Sequence, residues 1–89
     1  MIGRRVVGLD WHLWEPGDYG FSIEDGHWIG ITPNGYAANL GRHEVTELED
    51  GTITVSPSIA VSSSHPVEGV MIPYPVYHGY LEHGVWRDT

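Results

Sequence analysis

Six histidines and no cysteine pose the first chemical question. His78 and His83 flank an expected turn, His65 approaches from an expected loop, and Glu82 or Asp88 would add a carboxylate. Such a set suits zinc or another borderline metal. The spacing argues against it, because neither His-Glu-x-x-His nor His-x-His occurs. Turn and loop histidines are ordinarily solvated, so neither a metal nor any other cofactor is expected. Ser56, Ser58, Ser62, Ser63 and Ser64, with His65 adjacent, raise the question of a nucleophile. A catalytic triad gathers its members from separate elements, which sequence neighbours seldom do. There is no Gly-x-Ser-x-Gly elbow. The carboxylate pairs Glu24-Asp25 and Glu49-Asp50 fall in expected turns, under water. No glycine-rich loop leads into a helix to cradle a phosphate. An enzyme is not expected.

Recognition by aromatic stacking remains. Trp11, Trp14, Trp28, Tyr36, Tyr74, Tyr77, Tyr80 and Trp86 are more than 89 residues can bury fully. Some are expected at a surface, a subunit contact or a pocket, where Arg42 or Arg87 beside a ring would stack a purine and pair a phosphate. An aromatic core plus a homo-oligomer interface explains the same surplus, and is the simpler reading.

Strands must position these groups. No window keeps the helical apolar spacing over three turns, and twelve Gly with six Pro interrupt the chain too often for helices. Short runs of Val, Ile, Thr, Tyr and Trp between turn residues read as an all-β fold. Two-residue turns are expected at Asp25-Gly26, between Phe21–Glu24 and His27–Ile31, and at Asp50-Gly51, between Val45–Glu49 and Thr52–Val55. A third is expected at His83-Gly84, and a weaker one around Pro33-Asn34-Gly35. Trp28 is out of phase with Ile29 and Ile31, which suggests a strand covered on both faces. Pro57 should interrupt pairing before Ile59. Residues 62–75, with three serines and three prolines, read as one long connection. A short helical turn is expected near Ala37–Leu40. The architecture expected is a single domain over 1–89, a small antiparallel sandwich or partly open barrel of about six strands built from hairpins.

Twelve acids against four arginines give a formal charge of −8, which repels a phosphate backbone and argues against a nucleic-acid polymer as partner. No apolar run approaches the ~20 residues needed to span a bilayer, and the N-terminus lacks a signal-peptide pattern. A small core without disulfides points to self-association as its support.

Two segments carry a resemblance. Thr52–Ile59, which contains Ser56-Pro57-Ser58-Ile59, and Tyr77-His78-Gly79-Tyr80-Leu81 through Trp86 together resemble a family of small uncharacterised proteins of bacteriophages and prophages. The likeness covers roughly residues 31–87. It implies phage origin and an accessory role in the host cytoplasm, but no activity. Some relatives carry cysteines that look zinc-binding, and this chain has none.

In the terminal hairpin, alternation puts Tyr77, Gly79 and Leu81 on one face and His78 and Tyr80 on the other. Gly79 marks a bulge or a close approach. The expected ligand surface is therefore His78, Tyr80, Trp86 and Arg87, with Ser64 and His65 from the long loop. The function expected is non-enzymatic binding that counters host defence. It would act as a sponge for a nucleotide immune signal or by docking on a defence protein. The rival expectation is a virion structural or decoration protein.

Overall fold

Turn chemistry decides where the strands of this chain pair. The computed structural model describes residues 1–89, with strands at Arg4–Arg5 (β1), Asp18–Ser22 (β2), His27–Ile31 (β3), Ala37–Asn39 (β4) and Glu44–Glu47 (β5). Four more follow at Ile53–Ser56 (β6), Ile59–Val67 (β7), Val70–Glu82 (β8) and Val85–Asp88 (β9). One 3₁₀ turn, Trp11–Leu13, is the only helical element. The sheets are β1-β2-β3-β4, β5-β6 and β7-β8-β9, antiparallel except where β1 lies parallel to β2. The chain is all-β. No sheet closes on itself, in keeping with a small sandwich or partly open barrel.

Both Asp-Gly pairs lie in hairpin turns, but the turns are wider than two residues. Ser22 pairs with His27, so residues 23–26 form a four-residue loop. Asp25 holds it open by accepting from the Ser22 hydroxyl (2.6 Å) and the Trp11 indole N–H (3.0 Å). At the second site the Leu48 N–H donates to the Thr52 carbonyl (2.8 Å), which leaves Glu49, Asp50 and Gly51 as a three-residue loop. Only the glycine of each pair has positive φ. A type I′ turn needs both, and an Asp whose carboxylate is engaged by neighbours need not adopt it. The two-residue turns with both residues left-handed are His83-Gly84, as expected, and Glu68-Gly69.

Glu68-Gly69 overturns the expected long connection. Residues 62–75 continue β7 and β8 as one hairpin, with Val67 paired to Val70. The prolines are compatible with the ladder for a geometric reason. A two-residue turn closes on a hydrogen-bonded pair, so bonded pairs fall at Val67/Val70, His65/Ile72 and Ser63/Tyr74. Pro66, Pro73 and Pro75 all lie in the intervening non-bonded pairs, where the missing N–H would have pointed away from the partner strand. The helical turn expected near Ala37–Leu40 is likewise replaced, by β4 and its pairing with β3.

One core draws on all three sheets. Tyr19, Ala38, Leu40, Ile53, Val55, Ile59, Tyr77, Leu81 and Trp86 are buried together. A second cluster of Trp14, Ile29 and Ile31 covers the other face of β3, as the phase of Trp28 suggested. Two glycines make room for the indoles. A Cβ on Gly30 would come within 2.9 Å of the Trp86 ring, and one on Gly20 within 2.8 Å of Trp14. The buried Asp18 carboxylate is satisfied by Arg4 (3.2 and 2.9 Å) and the Glu15 N–H (2.9 Å).

Candidate functional site

The expected ligand residues separate into three places. His78, Tyr80 and Arg87 share the outer face of β8–β9, where Tyr80 pairs with Arg87 and the guanidinium lies 5.0 Å from the ring centroid. Trp86 lies on the opposite face at 2% exposure, in the core, because alternation along β9 sends it inward; it is not available to a ligand. Ser64 and His65 lie four or five rungs further out along β7, since Ala60 pairs with His78 and Ser64 with Pro73. That offset is roughly 13 Å or more, at ~3.3 Å per residue. Ser64, on the same side but too far out, and His65, on the other side, therefore do not reach His78.

The outer face offers little to an anion. Arg87 is already engaged by Glu82. An open depression of about 370 Å³ beside it is lined by Asn34, Tyr77, His78 and Asp88, and alternation puts the Asp88 carboxylate on the Tyr77 side, away from Arg87. His78 Nε2 lies 2.9 Å from the Ser58 hydroxyl, but its Nδ1 faces only the Thr89 hydroxyl, at 3.5 Å. A serine–histidine pair without a carboxylate to orient the ring lacks the third member that activation needs. His83 is held by Asp50 at 3.0 Å, so it does not meet His78, and no three metal-binding side chains converge. Gly79 marks a close approach, but by this chain: the Tyr77 phenol and the Arg87 carbonyl fill the space a Cβ would take. Burial, aided by Asp88, pushes the Tyr77 phenol up to about 12.

The feature the sequence reading missed is the arm. Ile59, Val61, Ser63, His65 and Val67 share one face of β7, and their partners carry Tyr77, Tyr74, Ile72 and Val70 onto the same side. Near the body this face is the core, with Ile59 and Tyr77 buried. An extra residue, Val76, between Tyr77 and Pro75 shifts the phase so that Tyr74 rather than Pro75 continues it. Beyond the bulge nothing in the chain covers it: residues 64–75 are all exposed, with Val70 at 59%, Ile72 at 40% and Tyr74 at 38%. The signal was present as Val70-x-Ile72-x-Tyr74, period-two alternation next to a Glu-Gly turn.

No protein-family model, curated protein or solved structure matched the chain. No helix is long and apolar enough to cross a membrane.

Proposed function

We propose that this chain is a non-enzymatic bacteriophage accessory protein that works by protein contact, made through the uncovered face of the β7–β8 arm. The observation that carries this reading is the continuation of the core face past the end of the body. A two-stranded hairpin by itself is marginally stable in water, and an arm that repeats apolar side chains on one face gains stability when that face is covered. The resemblance over residues 31–87 supplies the phage origin. Sequestering a nucleotide calls for convergent donors and free positive charge, and the one arginine of the outer face is paired. Docking on a protein calls for an apolar face with few charges, which the arm offers. A host defence protein in the cytoplasm and a neighbour in the virion are both reached by such a contact.

Native mass spectrometry of the protein recovered from infected cells, and of purified particles, tests this. The expected result is a complex heavier than the 9.9 kDa chain, carrying no small molecule. A monomer loaded with a nucleotide would overturn the reading. Copurification with particles would assign the virion form, and absence from them the cytoplasmic one.

A further inference from the structure

We infer that the depression beside Tyr77 and Asp88 is a binding site for a primary ammonium group on an aliphatic chain. The Asp88 carboxylate would take the ammonium, with the Tyr77 phenol behind it. The site stands apart from the arm's cover, and three observations lead to it.

The first is a buried hydroxyl without a partner. Tyr77 is 8% exposed, its ring meets Trp86 edge-on, and its O–H makes no hydrogen bond within the chain. The phenol oxygen lies over Gly79, against the space a Cβ would fill. Gly79 pairs with Asp88. The two-residue His83-Gly84 turn makes Glu82/Val85 and Tyr80/Arg87 the bonded pairs, so Gly79/Asp88 is a non-bonded one. Such a pair brings the Cα atoms to about 4.5 Å, and alternation puts the Asp88 side chain on the phenol's side. A buried O–H left without an acceptor is costly, and Asp88 is the acceptor beside it. The same carboxylate helps to hold the phenol's pKa up.

The second is charge. Asp88 is exposed and takes part in no ion pair. It is the only acidic side chain lining the depression, and no Lys or Arg lines it. Arg87 points to the other face, where Glu82 holds it. A carboxylate open to solvent without a cation of its own draws one from outside. No three metal-binding side chains converge there, which favours an organic cation over a metal.

The third is the shape of the acceptor. With one carboxylate oxygen turned to the phenol, one remains for a ligand. The planar fork of a guanidinium is matched to both oxygens, whereas an ammonium is a point charge that needs one and leaves its other N–H groups to water. Pro33, Pro75 and Val76 supply an apolar wall for a methylene stem. Asn34 fixes that wall: its amide nitrogen donates to the Val76 carbonyl (2.9 Å), and its Oδ1 accepts from the Thr32 hydroxyl (2.6 Å). The ammonium belongs either to a free alkylamine or to a lysine of a protein lying on the arm, whose face Tyr77 continues.

An NMR titration of the isotope-labelled chain tests the site, at about pH 8, where an ordinary histidine is neutral. Butylammonium chloride should shift the amides of Gly79 and Asp88 and the Tyr77 ring, saturating in roughly the millimolar range that so small a ligand allows. Butanol, which keeps the stem and lacks the charge, should not. Asp88→Asn should weaken binding at least about fivefold. Glu24→Gln, which removes the same charge from the β2–β3 loop, should change it less than about twofold. Tyr77→Phe should weaken binding about two- to threefold without lowering the melting temperature, because the lost hydroxyl had no partner. Nα-acetyl-lysine methylamide identifies the source. Binding clearly tighter than that of butylammonium supports the site as one for a partner's lysine, and equal binding supports it as one for a free amine. No shift at Gly79 and Asp88 up to roughly 50 mM butylammonium, a shift that survives Asp88→Asn, or one that butanol reproduces would overturn the inference. Each of those results leaves docking through the arm standing, since that reading is tested on the complex recovered from infected cells.

Discussion

The indole N–H of Trp86 donates to the Gly17 carbonyl at 2.9 Å, joining groups 69 positions apart. The bond ties β9 to the segment entering β2, and the ring lies over Gly30 of β3. Trp86→Ala removes a fully buried ring and leaves the Gly17 carbonyl without its indole partner, so it should cost about 3–5 kcal/mol. Set against a typical total of about 5–15 kcal/mol, that loss is a large share of the stability. Trp86→Phe keeps part of the packing and should cost visibly less by urea unfolding.

Gly69 and Gly84 both have positive φ, but their surroundings differ. Nothing lies near a Cβ at Gly69, whereas one at Gly84 would come within 2.8 Å of the Tyr19 hydroxyl and 2.9 Å of Thr52. Gly69→Ala should cost about 1 kcal/mol, from backbone strain alone. Gly84→Ala adds overpacking of about 1–3 kcal/mol and should melt clearly lower. Equal melting temperatures would contradict the difference.

Tyr77 gives an alkaline signature. Its phenol is held up to about 12, against an ordinary value of about 10. A raised value in the folded state means a contribution fully present below pH ~10 and lost as pH rises through about 12. Tyrosinate absorbance should therefore show a component that ionises near 12, well after the ordinary tyrosine range. Tyr77→Phe should remove that component.

On the acid side, Asp50 is held low first by the Thr52 hydroxyl, then by the Thr52 N–H and His83. Asp25 is held low first by the Ser22 hydroxyl and then by the Trp11 indole. These contributions are present above the ordinary carboxylate value and fade as pH falls through the lowered ones. Thr52→Ala should raise the Asp50 carboxyl in an NMR titration and leave Asp25 unmoved.

Arg87→Ala should leave melting nearly unchanged. Its ion pair with Glu82 is exposed on both sides, and such pairs are worth about 0–1 kcal/mol. Tyr80 is only half-buried, and its inward neighbours Gly79 and Leu81 do the packing. A melting temperature lowered as far as by a core substitution would show that Arg87 belongs to the packing.

The all-β character, the His83-Gly84 turn and the two-faced β3 were legible because each rests on local pattern. The widths of the Asp-Gly loops were not. Contacts from Trp11 to Asp25 and from Thr52 to Asp50 decide them, and the first comes from outside the hairpin. The β7–β8 arm was hidden by Pro66, Pro73 and Pro75. Their harmlessness depends on the parity of the ladder, which is fixed only once Glu68-Gly69 is known to be the turn. Trp86 was misplaced for a related reason: a hairpin brings residues into one neighbourhood, yet alternation sends Trp86 and Arg87 to opposite faces.

Hydrogen exchange reads the central claim most directly, because it reports whether the arm is covered whatever covers it. The complex recovered from infected cells is compared with the purified chain, diluted until it is monomeric. The ladder amides of Ser63, His65, Ile72 and Tyr74 should exchange slowly in the complex and quickly in the dilute chain, while those of Thr54 and Tyr80, in the bonded pairs of the body, should exchange alike in both samples. Equal exchange of the arm amides in the two samples would contradict the account.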